Sequence, residues 1–283
     1  MFFPLLESLL EKNAAKSRQL TEDFIRTESD WSPLYKTLYT FAAQHDTGDK
    51  INPDAVVVCD AFVHLMRTQD QSKAQDFLFA LIDFYVQLPI ESVDTSILKP
   101  DKADQKVISI LDVEEAFDQD HPEIMFASIR SILNLMDNKQ YFMEILTSIA
   151  LSKSPQSVIL THSTANAIEI LQWNNHFTPF LVLHLIKKLF DDREKRIILP
   201  RVDFDFKNII SRITTTLDWI FIASLYQTYQ NLFIIQHKLR PIISAILHQF
   251  SSSEFDCHVQ EKIEKILLQS SQLRLAPVMT NDA

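Results

Sequence analysis

The chain has 283 residues, 46% of them hydrophobic, which is enough to bury a substantial core as one large helical domain or as two packed halves and excludes disorder of the whole. Its single glycine, Gly48, argues against a β-rich fold, because tight hairpins and left-handed connections lean on glycine, and it removes the G-x-G-x-x-G and P-loop nucleotide fingerprints. A formal net charge of −10 with scattered basic residues disfavours nucleic acid, and the distant Cys59 and Cys257 read as buried thiols of a reducing compartment rather than as a disulfide.

The opening Met1-Phe-Phe-Pro lacks a basic flank and meets Glu7 and Glu11 too soon for the pattern expected of a signal sequence. The longest apolar run, Trp219 to Leu225, is far short of the roughly 20 residues that span a bilayer. The expectation is a cytoplasmic protein away from membranes.

Pro4 to Phe24 carries Leu5, Leu6, Leu9, Leu10 and Leu20 at helical spacing and predicts one amphipathic helix. A second starts at Ser32-Pro33, with serine at the cap and proline in the first turn, and runs through Leu34, Leu38 and Phe41. His45-Asp-Thr-Gly-Asp-Lys is turn chemistry, and His45 reads as a solvated loop residue. From Asn52-Pro53 an apolar helix runs through Ala55 to Met66, on which His64 reads as a partly buried structural histidine. Gln75 to Leu88 pairs with it.

Pro89 to Gln105 has no apolar period and reads as a loop or connection. The predicted organisation is an N-terminal helical part over 1–90, a connection over 91–106, a C-terminal helical part over 107–268 and a frayed tail over 269–283, together one compact domain. Within the C-terminal part, Asp118 to Glu123 is an acidic cap to a helix through Leu133. Tyr141 to Leu151 is the next helix, and Ser154-Pro155 opens a pair of helices reaching Leu189. Phe206 through Ile235 continues as a long helix that must kink or break at Pro241. The fold class is all-α, a multi-helix bundle or stacked helix pairs with no significant β-sheet.

A buried imidazole needs a hydrogen bond or a metal, because an unpaired polar group costs roughly 1–3 kcal/mol in a core. No i, i+4 histidine pair and no Glu-x-x-His occurs, so any metal site gathers one histidine from each of several helices. His237 and His248 share a face of a straight helix but lie roughly 16 Å apart along it. There is no G-x-S-x-G elbow, and carboxylate pairs such as Asp191-Asp192 read as solvated faces. The many phenylalanines are core, or the walls of a pocket for a flat ring.

Four segments resemble the questin oxidase-like family, all-helical proteins whose best-known members oxidatively open anthraquinone rings. Asn52 to Leu65 is similar to that family's N-terminal helix, His121-Pro-Glu-Ile-Met125 to its His-Pro-Leu-Ile-His, Thr161 to Leu171 to its His-x-x-Thr-x-x-x-Ala-Leu helix, and Asp218-Trp219 through His237-Lys-Leu-Arg240 to its Trp stretch leading to His-Val-Ile-Lys. The resemblance implies a metal-dependent oxygenase of an aromatic or polyketide-type substrate, with non-haem iron held by His121, His162 and His237 and with Trp173 or Trp219 near the pocket. Departures accompany it: Pro53, Met125 and Arg240 stand where the family has histidine, histidine and lysine. Arginine stays protonated and is a poor ligand. The other reading open to the sequence is a non-catalytic helical scaffold or protein-interaction module with a decayed metal site, in which the histidines are satisfied core residues. His184, between Leu183 and Leu185, reads as core or pocket wall.

Overall fold

The computed structural model describes residues 1–45, 54–68, 70–88, 113, 115–117, 119, 139–193, 204–213, 216–232 and 234–252. Every regular element among them is a helix. The chain divides into two compact units, Met1–Leu146 with Leu160–Asp192, and Thr147–Ile159 with Arg193–Ala283. The connection predicted over 91–106, the acidic cap at 118–123 apart from Gln119, its helix, and the tail over 269–283 lie outside the described residues.

In the first unit, α1 (Phe3–Leu10) buries Leu5, Leu6 and Leu9. It does not run on to Phe24 as expected. Lys12 takes a left-handed φ of 55°, and the Asn13 side chain then accepts the Lys16 backbone N–H at 3.0 Å, capping a new helix, α2 (Ala14–Thr27). An asparagine offered to a helix start outcompetes continuation, because it satisfies a donor that would otherwise be orphaned.

Next come α3 (Ser32–Ala43), α4 (Ala55–Thr68) and α5 (Gln71–Gln87), the last capped by Asp70 through the Lys73 N–H. Helix α1 packs on α2, α3 and α5, α2 on α5, and α4 on both α3 and α5. Their shared interior holds Leu34, Leu38, Phe41, Leu78, Leu81, Ile82 and Tyr85, all essentially inaccessible. Each such aliphatic side chain contributes about 1.5–3 kcal/mol through burial. The Tyr85 hydroxyl donates to the Leu38 carbonyl at 3.0 Å, tying α5 to α3.

Two histidine expectations are corrected here. His45 is not solvated: it is 3% exposed, its Nδ1 sits 2.7 Å from the Phe41 carbonyl, and its ring stacks on Phe41 at 4.0 Å. As the residue that leaves α3, it folds back on the last turn and so enters the core. His64, expected to be partly buried, is exposed, because the inward face of α4 is taken by Cys59, Val63 and Met66.

Helix α6 (Lys139–Leu151) leads to α7 (Pro155–Leu171), which ends where Gln172 adopts φ 73°. The Gln172 N–H reaches the Ile168 carbonyl at 2.7 Å, and the Thr178 hydroxyl donates to the Gln172 carbonyl at 2.7 Å. Those bonds close one helix and start the next, α8 (Thr178–Asp191), which buries Phe180, Leu181, Leu185 and Leu189 and packs on α3.

In the second unit, Asp205 caps α9 (Phe206–Arg212), which together with α10 (Thr216–Asn231) packs on α11 (Gln236–Ser252). The expected long helix from Phe206 is thus three, and at Pro241, where the sequence predicts a kink or break, α11 is unbroken and continues to Ser252. Pro241 is the sixth residue of α11, so its missing N–H removes only the bond to the His237 carbonyl one turn back.

Substituting Leu81 with Ala is expected to lower unfolding free energy by about 2–5 kcal/mol. Tyr85→Phe, which deletes the hydroxyl bonded to Leu38 and Cys59 but no carbon, should lower it by a smaller amount, about 1–2 kcal/mol. Urea unfolding followed by circular dichroism measures both.

Candidate functional site

The apolar face of α4 is interrupted by two carboxylates, Asp54 at its start and Asp60 in its second turn, and around them lies the densest polar chemistry of the first unit. A buried carboxylate is tolerated only if donors or positive charge meet it. Each has found a different solution.

Asp54 meets His184 of α8. The imidazole Nε2 donates to Oδ2 at 2.5 Å, with the two side chains only 9% and 14% exposed, and Oδ1 accepts the Val56 N–H at 3.0 Å. Burial pushes the Asp54 carboxyl up, but the hydrogen bond and charge of His184, the Val56 N–H and the nearby Lys188 together outweigh it and hold the group below the usual carboxylate range. His184 is therefore a core residue, as its flanking leucines suggested, and its partner explains how the core accepts it.

Asp60 is met by neutral donors. The Tyr39 hydroxyl of α3 donates to Oδ1 at 2.7 Å, and the Asn166 amide of α7 lies 3.2 and 3.1 Å from the two oxygens. A carboxylate only accepts, so Asn166 must present its nitrogen. That nitrogen is also 3.1 Å from Nε2 of His162, one helical turn earlier. The second amide hydrogen thus points at a ring nitrogen that accepts, which places the His162 proton on Nδ1. The chain Tyr39–Asp60–Asn166–His162 links three helices.

Neighbouring groups that could do chemistry are held protonated. Burial pushes the Cys59 thiol far above its ordinary value, despite the Tyr85 hydroxyl beside it, and pushes the Tyr39 phenol up as well, with Cys59 and Asp60 adding to the effect. Neither supplies a thiolate or phenolate near neutrality.

Of the three histidines matched to the family's metal ligands, His162 is buried on α7 of the first unit, and His237 is exposed at the start of α11 in the second. His121 lies outside the described residues. Among the described residues, no three His, Cys, Asp or Glu side chains are grouped so as to hold a metal ion. The His162 Nε2 lone pair accepts from Asn166, and a metal at that atom would need the same lone pair, so this arrangement does not fit a ligand role for Nε2. Trp173 lies under Lys139, 6.0 Å from ring to ammonium, and Trp219 is half-buried on α10.

Sequence reasoning missed Asp54, Asp60, Asn166 and Tyr39. A signal for Asp60 existed, since it is a lone carboxylate in the run Val56-Val-Val-Cys-Asp-Ala-Phe-Val63. Asn166 stands four residues after His162, the spacing that brings side chains together on a helix.

Comparison with protein-family models, with curated proteins and with solved structures finds no match. No helix among the described residues is long and apolar enough to cross a membrane.

Two outcomes test the network. The native state favours ionised Asp54, so its contribution to stability is complete above the ordinary Asp value of about 3.9 and is lost as pH falls through the lowered native value. Asp54→Asn should accordingly melt below wild type at neutral pH, and the gap should narrow under acid, as read by melting temperature against pH. Asn166→Ala removes donors from a carboxylate and should cost about 1.5–3 kcal/mol in denaturant unfolding.

Proposed function

We propose that the chain is a non-catalytic helical scaffold in which the histidines of the first unit are structural, and that it works by presenting helix surfaces to a protein partner. The observation that carries this reading is the hydrogen bond from Asn166 to the His162 Nε2, which gives the leading candidate ligand a place in a closed polar chain. The Asp54–His184 pair supports it, since there too a buried histidine meets a side chain of this chain, at Nε2.

A second reading is a questin oxidase-like, metal-dependent oxygenase acting on an aromatic substrate, with His121, His162 and His237 as ligands. It is favoured by one observation. Segments 52–65 and 161–171, both of which carry the resemblance, meet through Asn166 and Asp60. A bound iron would supply dioxygen activation; for His162 to serve it through Nε2, Asn166 would first have to withdraw its hydrogen bond.

Elemental analysis of protein produced with added iron and zinc separates the readings. The scaffold reading expects no stoichiometric metal, either in the wild type or in His162→Gln, with the variant folded and its melting temperature modestly reduced. About one bound metal per chain that His162→Gln loses would overturn it in favour of the oxygenase.

A further inference from the structure

The second unit contains a cleft of about 440 Å³ where the end of α10 meets the start of α11. That volume falls within the roughly 300–1,000 Å³ typical of small-molecule sites. Its polar lining is Tyr229, Gln236, His237, Arg240 and Ser244.

Arg240 is the centre of the arrangement. Its guanidinium lies over the Tyr229 ring, 5.1 Å from the centroid, and its Nε donates to the Tyr229 carbonyl at 3.3 Å. Stacking and one hydrogen bond fix the plane of the group while using only one of its five N–H donors. No carboxylate among the described residues pairs with it, although acidic residues outnumber basic ones 37 to 27 in the chain. A held guanidinium with its terminal donors open is a fork for an oxyanion.

Ser244, one turn after Arg240, supplies an independent observation. It is 1% exposed, and it lines the cleft. A serine hydroxyl can donate a hydrogen bond, so it can meet an oxyanion held by Arg240 from the same wall. The first N–H groups of α11, at Gln236 and His237, add the positive end of a helix of 17 residues. Ile234 and Pro241 form an apolar part of the wall.

We propose that this cleft binds a small organic anion, with its oxyanion head on Arg240 and Ser244 and its carbon body against Ile234 and Pro241. The site is built from residues of the second unit alone and needs no metal.

The test uses the full chain, titrated with benzoate, with neutral benzamide and with inorganic phosphate, and followed by calorimetry and ligand-detected NMR. Saturable benzoate binding is expected, with benzamide about tenfold weaker or worse, since it lacks the charge that a guanidinium fork recognises. Phosphate should compete for the shared head position. Arg240→Gln should weaken benzoate about tenfold or more, Ser244→Ala severalfold, and His162→Gln not at all; EDTA should have no effect. The proposal is overturned if neither benzoate nor phosphate saturates, if benzamide binds as tightly as benzoate, if Arg240→Gln binds as the wild type does, or if EDTA abolishes binding. Should Arg240→Gln fail to fold, the benzamide comparison and Ser244→Ala decide the matter.

Discussion

A carboxylate on the inward side of a helix cannot simply be packed; it must be supplied with donors from whatever packs against it. In the first unit that requirement falls on α4. Asp54 draws His184 from α8, and Asp60 draws Tyr39 from α3 and Asn166 from α7. Apolar burial is non-directional, and the fit of side chains across helix faces restricts sliding only through shape. Hydrogen bonds to a fixed carboxylate add direction, so the two acids help set the register of the helices around them.

The same requirement explains why a histidine on an apolar helix is ambiguous when only the sequence is known. His162 and His184 look alike there, each set among aliphatic neighbours. His184 is satisfied by a charge from a residue 130 positions earlier, and His162 by an amide one turn along its own helix. The second partner lay within reach of helical periodicity, whereas the first did not.

Much of the fold was legible because helix formation is local. The single glycine, the proline openings at Pro33 and Pro155 and the leucine periods pointed to an all-α chain, and the described elements agree. The errors fell where a short-range bond competes with a long-range pattern. Asn13 captured a helix start inside an unbroken leucine period, and His45 turned back on Phe41 out of what read as a loop. The polar cluster was less legible, since which donors reach Asp60 depends on how α3 and α7 flank α4. In the second unit, Arg240 was read only as a lysine lost from a ligand motif, while its surroundings give it a different character: a cation stacked on an aromatic ring beside a cleft.

Gln172 and Lys12 carry a consequence of the near-absence of glycine. Both occupy left-handed backbone, which costs an ordinary L-residue about 1–2 kcal/mol, and both stand where a helix gives way to the next. The chain thus ends two of its helices with residues that disfavour the conformation they adopt, and the surrounding bonds, such as Thr178 to the Gln172 carbonyl, hold them there. These junctions mark unused thermodynamic room, two positions where the native state sits above the energy that a different residue would allow.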